Sequence, residues 1–365
     1  MSREIVTNSV MMPLEETISE VAQQPDVVGK AMSNNHAEVI ELAREIINKG
    51  ITKCVLVGSG DSMFMGLSAQ QAFDSYSGIP LKVTQAYEYA AFGDIEIQKD
   101  TAIFVVSSSG RVSTTRDALD RALQSEALVV GVTDNENPDN PFFTKPERVL
   151  VPGGIKLGWP TQTTTAALAV MLDLSIQIGK MSGHLKESTA NFLYQQLLSV
   201  PDKMKTVLSD NQEVMCQIAE KFVDVKTIYF VGSGPGYGVA NIGGAVMAEG
   251  PQRIGVPLYV EEFHHSLRVN TLDLGMPIFL IAPSDPAFTR YLDTVQAVKN
   301  WGGYLIAITD NDDDRILNGA NTTIRIPVIP YQMSPLLSVL PLHLFSIELT
   351  QNLVDQGYKR PWYSV

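Results

Sequence analysis

The chain has 365 residues, 45% of them apolar, which is enough for two ordinary domains with real cores. Its 27 basic and 40 acidic side chains leave a net charge of −13, which repels nucleic acid and anionic lipid at long range and argues against both as partners. Two cysteines, Cys54 and Cys216, are too few for a disulfide framework or a cysteine-rich metal site, and both stand in apolar contexts that read as buried and inert.

The first segment, MSREIVTNSVMMPLEETISEV, has neither a basic start nor a long apolar run with a small-residue cleavage site, and no later stretch approaches the length of a membrane span. The expectation is a cytoplasmic protein with no membrane partner. Residues 1–50 read as a helical lead-in, with two helices, LEETISEVAQQ and HAEVIELAREIINKG, packed on the outside.

From residue 51 the chain repeats itself. CVLVGSGDS (54–62) matches IYFVGSGPG (228–236), IFVVSSSG (103–110) matches IFLIAPSD (278–285), and LVVGVTDN (128–135) matches LIAITDN (305–311), all in the same order and at offsets near 175 residues. Each block is a short β-branched run, and helix-period segments such as STTRDALDRALQ and FTRYLDTVQAVKNWG lie between them. Apolar strands alternating with helices predict a parallel sheet covered on both faces. The fold class is therefore α/β, with two tandem doubly wound units of the flavodoxin-like, three-layer kind. The divisions expected are 51–185 for the first unit, 186–222 for a helical connector, 223–350 for the second unit and 351–365 for a C-terminal tail.

In such sheets the ligand crevice lies where strand C-termini feed helix N-termini. In the first half, VGSGDSM offers Ser59 and Ser62 beside flexible glycines, and VSSSGRVSTT offers Ser107, Ser108, Ser109, Ser113 and Thr114 at the start of a helix, where free N–H groups and the dipole favour a phosphate. Helix capping needs one hydroxyl and the second loop has five. In the second half the matching loop is APSD, where Asp285 would repel a phosphate, so one anion site per chain is expected. A third polar cluster, WPTQTTTAAL (159–168), places Thr161 either at a sugar pocket or at a helix cap.

The helix GYGVANIGGAVMAEG ends on Glu249, with Gly250 as a C-terminal stop. A carboxyl in the last turn feels the negative end of the dipole, which raises its pKa and suits a residue that takes and returns a proton. EEFHHS (261–266) follows the next strand. Its first-half counterpart, AYEYAAF, carries alanines where the histidines stand, so the fold does not require them. His265 is the proton-handling candidate and His264 a neighbour. His36, His184 and His343 have ordinary contexts, and no spacing resembles a metal site.

These motifs resemble the sugar isomerase (SIS) domain family, in particular the two-domain isomerase half of glucosamine-6-phosphate synthase and the fructosamine-6-phosphate deglycases. The resemblance covers nearly the whole chain, LEETISEVAQQPDVV included. It implies that Ser59, Gly60, Ser62, Ser107, Ser108, Ser109 and Thr114 bind the sugar phosphate, that Glu249 is the catalytic glutamate, and that His265 opens the sugar ring. It also implies a homodimer or higher homo-oligomer, because that histidine commonly reaches a neighbouring subunit's site.

Departures from the family separate the activities. The synthase carries an N-terminal glutaminase domain with a nucleophilic cysteine, and neither is expected here. Its imine-forming tail lysine corresponds to Tyr363 in RPWYSV, a second lysine to Val246, and the usual threonine after the serine loop to Val112. Loss of the imine-forming lysine disfavours the synthase reaction. The expectation is a deglycase that cleaves a 6-phosphorylated sugar-amine by acid–base chemistry, with no metal or redox cofactor and with Trp362 and Tyr363 closing over the substrate. The alternatives are a ketose/aldose isomerase, an amino-sugar phosphate deaminase or aminotransferase, and a non-catalytic phosphosugar sensor.

Overall fold

A computed structural model describes residues 13–93 and 97–358. The first sheet comprises β1 (Lys53–Gly58), β2 (Leu81–Gln85), β3 (Thr101–Val106), β4 (Leu128–Val132) and β5 (Arg148–Leu150). The second comprises β6 (Thr227–Gly232), β7 (Ile254–Tyr259), β8 (Pro277–Ile281), β9 (Tyr304–Thr309) and β10 (Thr322–Arg325). All pairings are parallel, in the orders β2-β1-β3-β4-β5 and β7-β6-β8-β9-β10, so the two sheets share one topology. The central strands TAIFVV and PIFLI are buried at every position, because helices cover both faces.

The helices repeat as well. A long helix α1 (Leu14–Asn48) precedes the first sheet, in which α2 (Asp61–Ala72), α3 (Ala86–Phe92), α4 (Ser113–Leu123) and the single turn α5 (Pro141–Thr144) follow β1 to β4. Then come α6 (Gln162–Ser182), α7 (Glu187–Leu198) and α8 (Val200–Lys221). In the second half α9 (Pro235–Glu249), α10 (Val260–His265), α11 (Phe288–Trp301) and α12 (Asp314–Leu317) follow β6 to β9, and α13 (Pro335–Ser338) and α14 (Leu340–Asp355) close the described chain. The doubly wound α/β architecture expected from the repeat is the one observed.

The N-terminal segment differs from expectation. It is one helix, not two, and it lies inside. Thr17, Glu20, Val21, Gln24, Val28, Asn35 and Val39 are buried, and α1 packs on α6, α8 and α14. Pro25 interrupts the donor pattern without ending the helix. The Val21 carbonyl it leaves unbonded receives a long, 3.5 Å contact from the Gln24 side-chain amide. The other Gln24 contacts hold three helices together: its Nε2 lies 3.2 Å from His343 Nδ1 on α14, and its Oε1 accepts from Thr165 on α6 at 3.1 Å. Burial pushes His343 down to about 3, so it is a neutral core residue.

One hydrophobic core runs continuously between the two sheets. It takes residues from α1, α2, α6, α8, α9 and α14, while smaller clusters fill the outer face of each sheet. Helix α6 is buried at every position from 162 to 179, as expected of a helix apolar around its circumference.

Helices α2 and α9, the equivalent helices of the two halves, cross closely in this layer. A Cβ at Gly238 would stand 2.1 Å from Ser68 Oγ, 2.6 Å from the Ser68 backbone nitrogen and 2.8 Å from the Phe64 carbonyl oxygen. Only a residue without a side chain allows this approach. Gly238→Val should therefore lower thermal stability by about 1–3 kcal/mol through overpacking, whereas Ala248→Ser, at an exposed position of the same helix, should leave the unfolding midpoint unchanged. Calorimetry or thermal unfolding checks both.

Candidate active site

Strands β1 and β3 are neighbours whose chains leave in opposite directions across the sheet, which makes the gap between their C-terminal ends the switch point of the fold. A cavity of about 300 Å³ opens there. It is lined by Ser59, Gly60, Asp61 and Ser62 from the loop after β1 and by Ser107, Ser108 and Ser109 from the loop after β3. Asp134, Lys156 and Glu249 line it too.

The serine loop is held open by its surroundings. Gly110 sits at φ +65°, and a Cβ there would lie 2.0 Å from Asn140 Oδ1, so backbone conformation and space both require glycine. Arg116 Nε donates to the Gly110 carbonyl at 2.8 Å. The Ser108 carbonyl accepts from Asp134 N and Thr133 Oγ1, both at 3.1 Å, and the Ser109 carbonyl accepts from Asn135 Nδ2 at 2.9 Å. The loop's carbonyls, electrostatically the wrong sign for an anion, are thus committed to internal donors. Ser59 Oγ accepts from Gln85 Nε2 at 3.3 Å.

Glu249 reaches this first-half cavity from the second half, because the α2–α9 crossing lays the end of α9 against the mouth of the first sheet. Ser346 Oγ on α14 donates to the Val246 carbonyl at 3.1 Å and fixes that last turn. Gly250 ends the helix at φ −87°, not in the left-handed conformation of the usual stop, and it is packed against Trp159, Ser346 and Thr350. Burial, then the nearby Asp61 carboxylate, push Glu249 up to about 9, against an opposing pull from Lys156. Burial likewise pushes Asp61 up to about 6, again opposed by Lys156. Asp134 also rises to about 6 by burial, although it accepts hydrogen bonds from the Ser108 hydroxyl and the Gly154 amide.

Lys156 arrives on the loop between β5 and α6, and α1 holds that loop. Glu20 Oε1 accepts from the amides of Leu157 and Gly158, and Thr17 Oγ1 accepts from Trp159 N at 3.3 Å. Lys156 is the one basic side chain among the described residues lining the cavity.

Of the residues expected from sequence, Ser59, Gly60, Ser62, Ser107, Ser108, Ser109 and Glu249 come together around this space. Thr114 does not line it; its neighbour Thr115 does, because the first turn of α4 points the next position inward. Thr161 is buried at the start of α6 without lining the cavity, and Thr163 and Thr164 take the place expected of it. His265 is exposed at the end of α10 and is not among this chain's cavity residues, whereas His264 is tied to Thr294 Oγ1 at 2.9 Å. Trp362 and Tyr363 lie outside the described residues. Val112 lines the cavity too.

Sequence reasoning passed over Asp61, Asp134 and Lys156. Asp61 stands within GSGDS, and Asp134 belongs to the TDN that recurs at 309–311. Lys156 had no signal, since only the fold brings its loop over the crevice. No cluster of potential metal ligands occurs among the described residues, and no described helix is long and apolar enough to cross a membrane.

Comparison with known proteins gives a consistent picture. Residues 27–141 and 221–352 match the SIS domain model. Glutamine–fructose-6-phosphate aminotransferase (isomerizing) from Leifsonia xyli subsp. xyli is 23% identical over 340 residues, covering 90% of this chain and 55% of the relative, and that from Clostridium tetani is 26% identical over 344 residues with the same coverage. The chain thus spans about half the length of these relatives. Among solved structures, the C-terminal domain of glucosamine-fructose-6-phosphate aminotransferase from Francisella tularensis superposes with a TM-score of 0.83 at 19% identity, over 96% of this chain and 98% of the other. Tagatose-6-phosphate ketose/aldose isomerase from Escherichia coli gives 0.74 at 16% identity, over 96% and 95%. With the family model covering most of both halves and the same tandem fold in these structures, the chain belongs to the SIS domain family.

Proposed function

We propose that the chain is a phosphosugar enzyme, and specifically a deglycase that converts a 6-phosphorylated Amadori compound, of the fructoselysine or glucoselysine 6-phosphate type, into glucose 6-phosphate and a free amine. The observation that carries this reading is Glu249, raised to about 9 by burial and facing the serines of the other half across one cavity. A donor-rich loop suits the phosphate, and a carboxyl with a raised pKa suits a proton shuttle between sugar C1 and C2. The similar proteins described above act on fructose 6-phosphate and tagatose 6-phosphate by name, which supports the substrate class.

In this reading the hydroxyls of Ser107, Ser108 and Ser109 hold the phosphate. Glu249 moves the proton at C1/C2. His265, exposed on α10, opens the ring in the site of a neighbouring subunit, which requires a homodimer or larger assembly. Trp362 and Tyr363 exclude water by closing over the substrate. No step needs a metal or a redox cofactor. Val246 is buried within α9 and Tyr363 occupies the tail position, so neither of the family's lysine positions supplies an amine. The presence of Lys156 on the cavity favours one second reading, an imine-forming ketose/aldose isomerase.

Three outcomes are expected. With fructoselysine 6-phosphate, Glu249→Gln should keep glucose 6-phosphate binding, measured as thermal stabilisation, while turnover falls 10²-fold or more, roughly the worth of general acid–base catalysis; His264→Ala should cost far less. Normal turnover by Glu249→Gln would refute the mechanism.

The same substitution should act on stability in a pH-dependent way. Below pH 4.5 the carboxyl is protonated in both folded and unfolded chains, and the variant gains nothing from lost ionisation. Above that, the unfolded chain releases the proton while the folded one retains it up to about 9, so the wild type loses stability progressively relative to the variant. The unfolding midpoint of Glu249→Gln should exceed that of the wild type at pH 8, with the gap closing towards pH 4. Finally, borohydride added during turnover should leave Lys156 unmodified by mass spectrometry; a sugar phosphate adduct there would favour the imine-forming reading.

A further inference from the structure

Two carboxyls from opposite halves of the chain face one small cavity, and the mechanism above uses only Glu249. Asp61 opens α2 immediately after the glycine-bearing turn, and it lines the cavity with Glu249. Its Oδ1 is shut off from solvent and has no hydrogen-bond partner among the described residues. A buried acceptor with no donor from the protein is costly, and it marks a place where a ligand donor belongs. That donor is not a phosphate, which carries only negative oxygens at neutral pH and would repel a carboxylate. With the phosphate on the serine loop and Glu249 beside Asp61, the end of the sugar that reaches Asp61 is the C1/C2 end, where an Amadori compound carries its amine.

We propose that Asp61 is a second catalytic carboxyl, which binds the substrate's protonated C1 amine and carries the nitrogen proton through the reaction. This rests on the deglycase reading and adds the step that reading leaves unassigned. Asp61 accepts a hydrogen bond from the ammonium and takes one of its protons. Glu249, protonated at neutral pH, gives its proton to the C2 carbonyl oxygen and then removes a proton from C1, whose C–H pair forms the C1=C2 bond of the enaminol. Return of the Glu249 proton to C2 lets the nitrogen lone pair form the C1=N bond. Water adds to C1 and gives one proton back to Glu249, Asp61 returns its proton to nitrogen, and the C1–N bond breaks to leave the aldose phosphate, the second water proton leaving with the amine. Water is the only co-reactant, and nothing is oxidised or reduced overall.

The division of labour agrees with the electrostatics. Asp61 is held near 6 and Glu249 near 9, so at neutral pH the first is the ready acceptor and the second the ready donor. The other charged groups on the cavity are Lys156, which favours both ionised forms, and Asp134, which is engaged with Ser108 and Gly154.

The test compares wild type, Asp61→Asn and Asp61→Ser on fructoselysine 6-phosphate, with glucose 6-phosphate binding by thermal shift as the fold control. Both variants should bind glucose 6-phosphate, lose 10²-fold or more in kcat, and still exchange the C1 hydrogens of the substrate with D₂O through Glu249. Wild-type kcat should fall as pH drops below about 6, and the residual activity of the variants should lack that limb. Wild-type activity with unimpaired variants, or variants that keep the limb, would overturn the role of Asp61 and leave the deglycase reading standing. Loss of glucose 6-phosphate binding in both variants would overturn it as well, by showing that Asp61 only shapes the phosphate loop. A wild type that releases no glucose 6-phosphate would overturn the deglycase reading, and this role with it.

Discussion

The approach of α2 to α9 at Gly238 is the contact on which the rest of the molecule depends. It joins the equivalent helices of two repeated halves closely enough for their backbones to touch, and so makes one core out of what would otherwise be two. It also carries the end of α9 across to the mouth of the first sheet. Packing and chemistry are therefore coupled: the apolar layer that stabilises the fold is the same low-dielectric surrounding that desolvates Glu249 and raises its proton affinity. A looser crossing would weaken the core and hydrate the carboxyl together.

The N-terminal helix is a second point of dependence. Through Glu20 and Thr17 it grips the loop that delivers Lys156, and through Gln24 it is bonded to α6 and α14. A residue well over a hundred positions away in sequence thus sets the placement of the one cation among the described cavity residues. In physical terms α1 is part of the site's support, although it contributes no lining side chain.

Much of this was legible before any coordinates. The repeat, the strands and the two polar loops follow from β-branched runs and from glycine and serine spacing, which depend on local backbone preference. What escaped was of another kind. The two outer helices expected in residues 1–50 are one buried helix, because the compensation by Gln24 at Pro25 and the burial of the helix are tertiary effects. Thr114 and Thr161 were favoured over Thr115, Thr163 and Thr164 because composition does not say which side of a helix's first turn faces the crevice. Asp61 and Asp134 were in plain view, but their importance comes from desolvation, a property of the assembled cavity. Lys156 reaches the site only because the edge of the sheet folds back over it.

The second half shows what became of the other crevice. At the position of Gly110 stands Asp285, whose carboxylate accepts from Ala287 N at 2.7 Å and from the Tyr291 hydroxyl at 2.7 Å, at the start of α11. The donors that could receive a bound anion are taken by one built into the chain. This half is a permanently occupied copy of the first, unable to exchange its occupant with solution. Among the described residues the second half therefore offers no equivalent open crevice through which to communicate with the first, so a sigmoidal response to substrate would originate between chains.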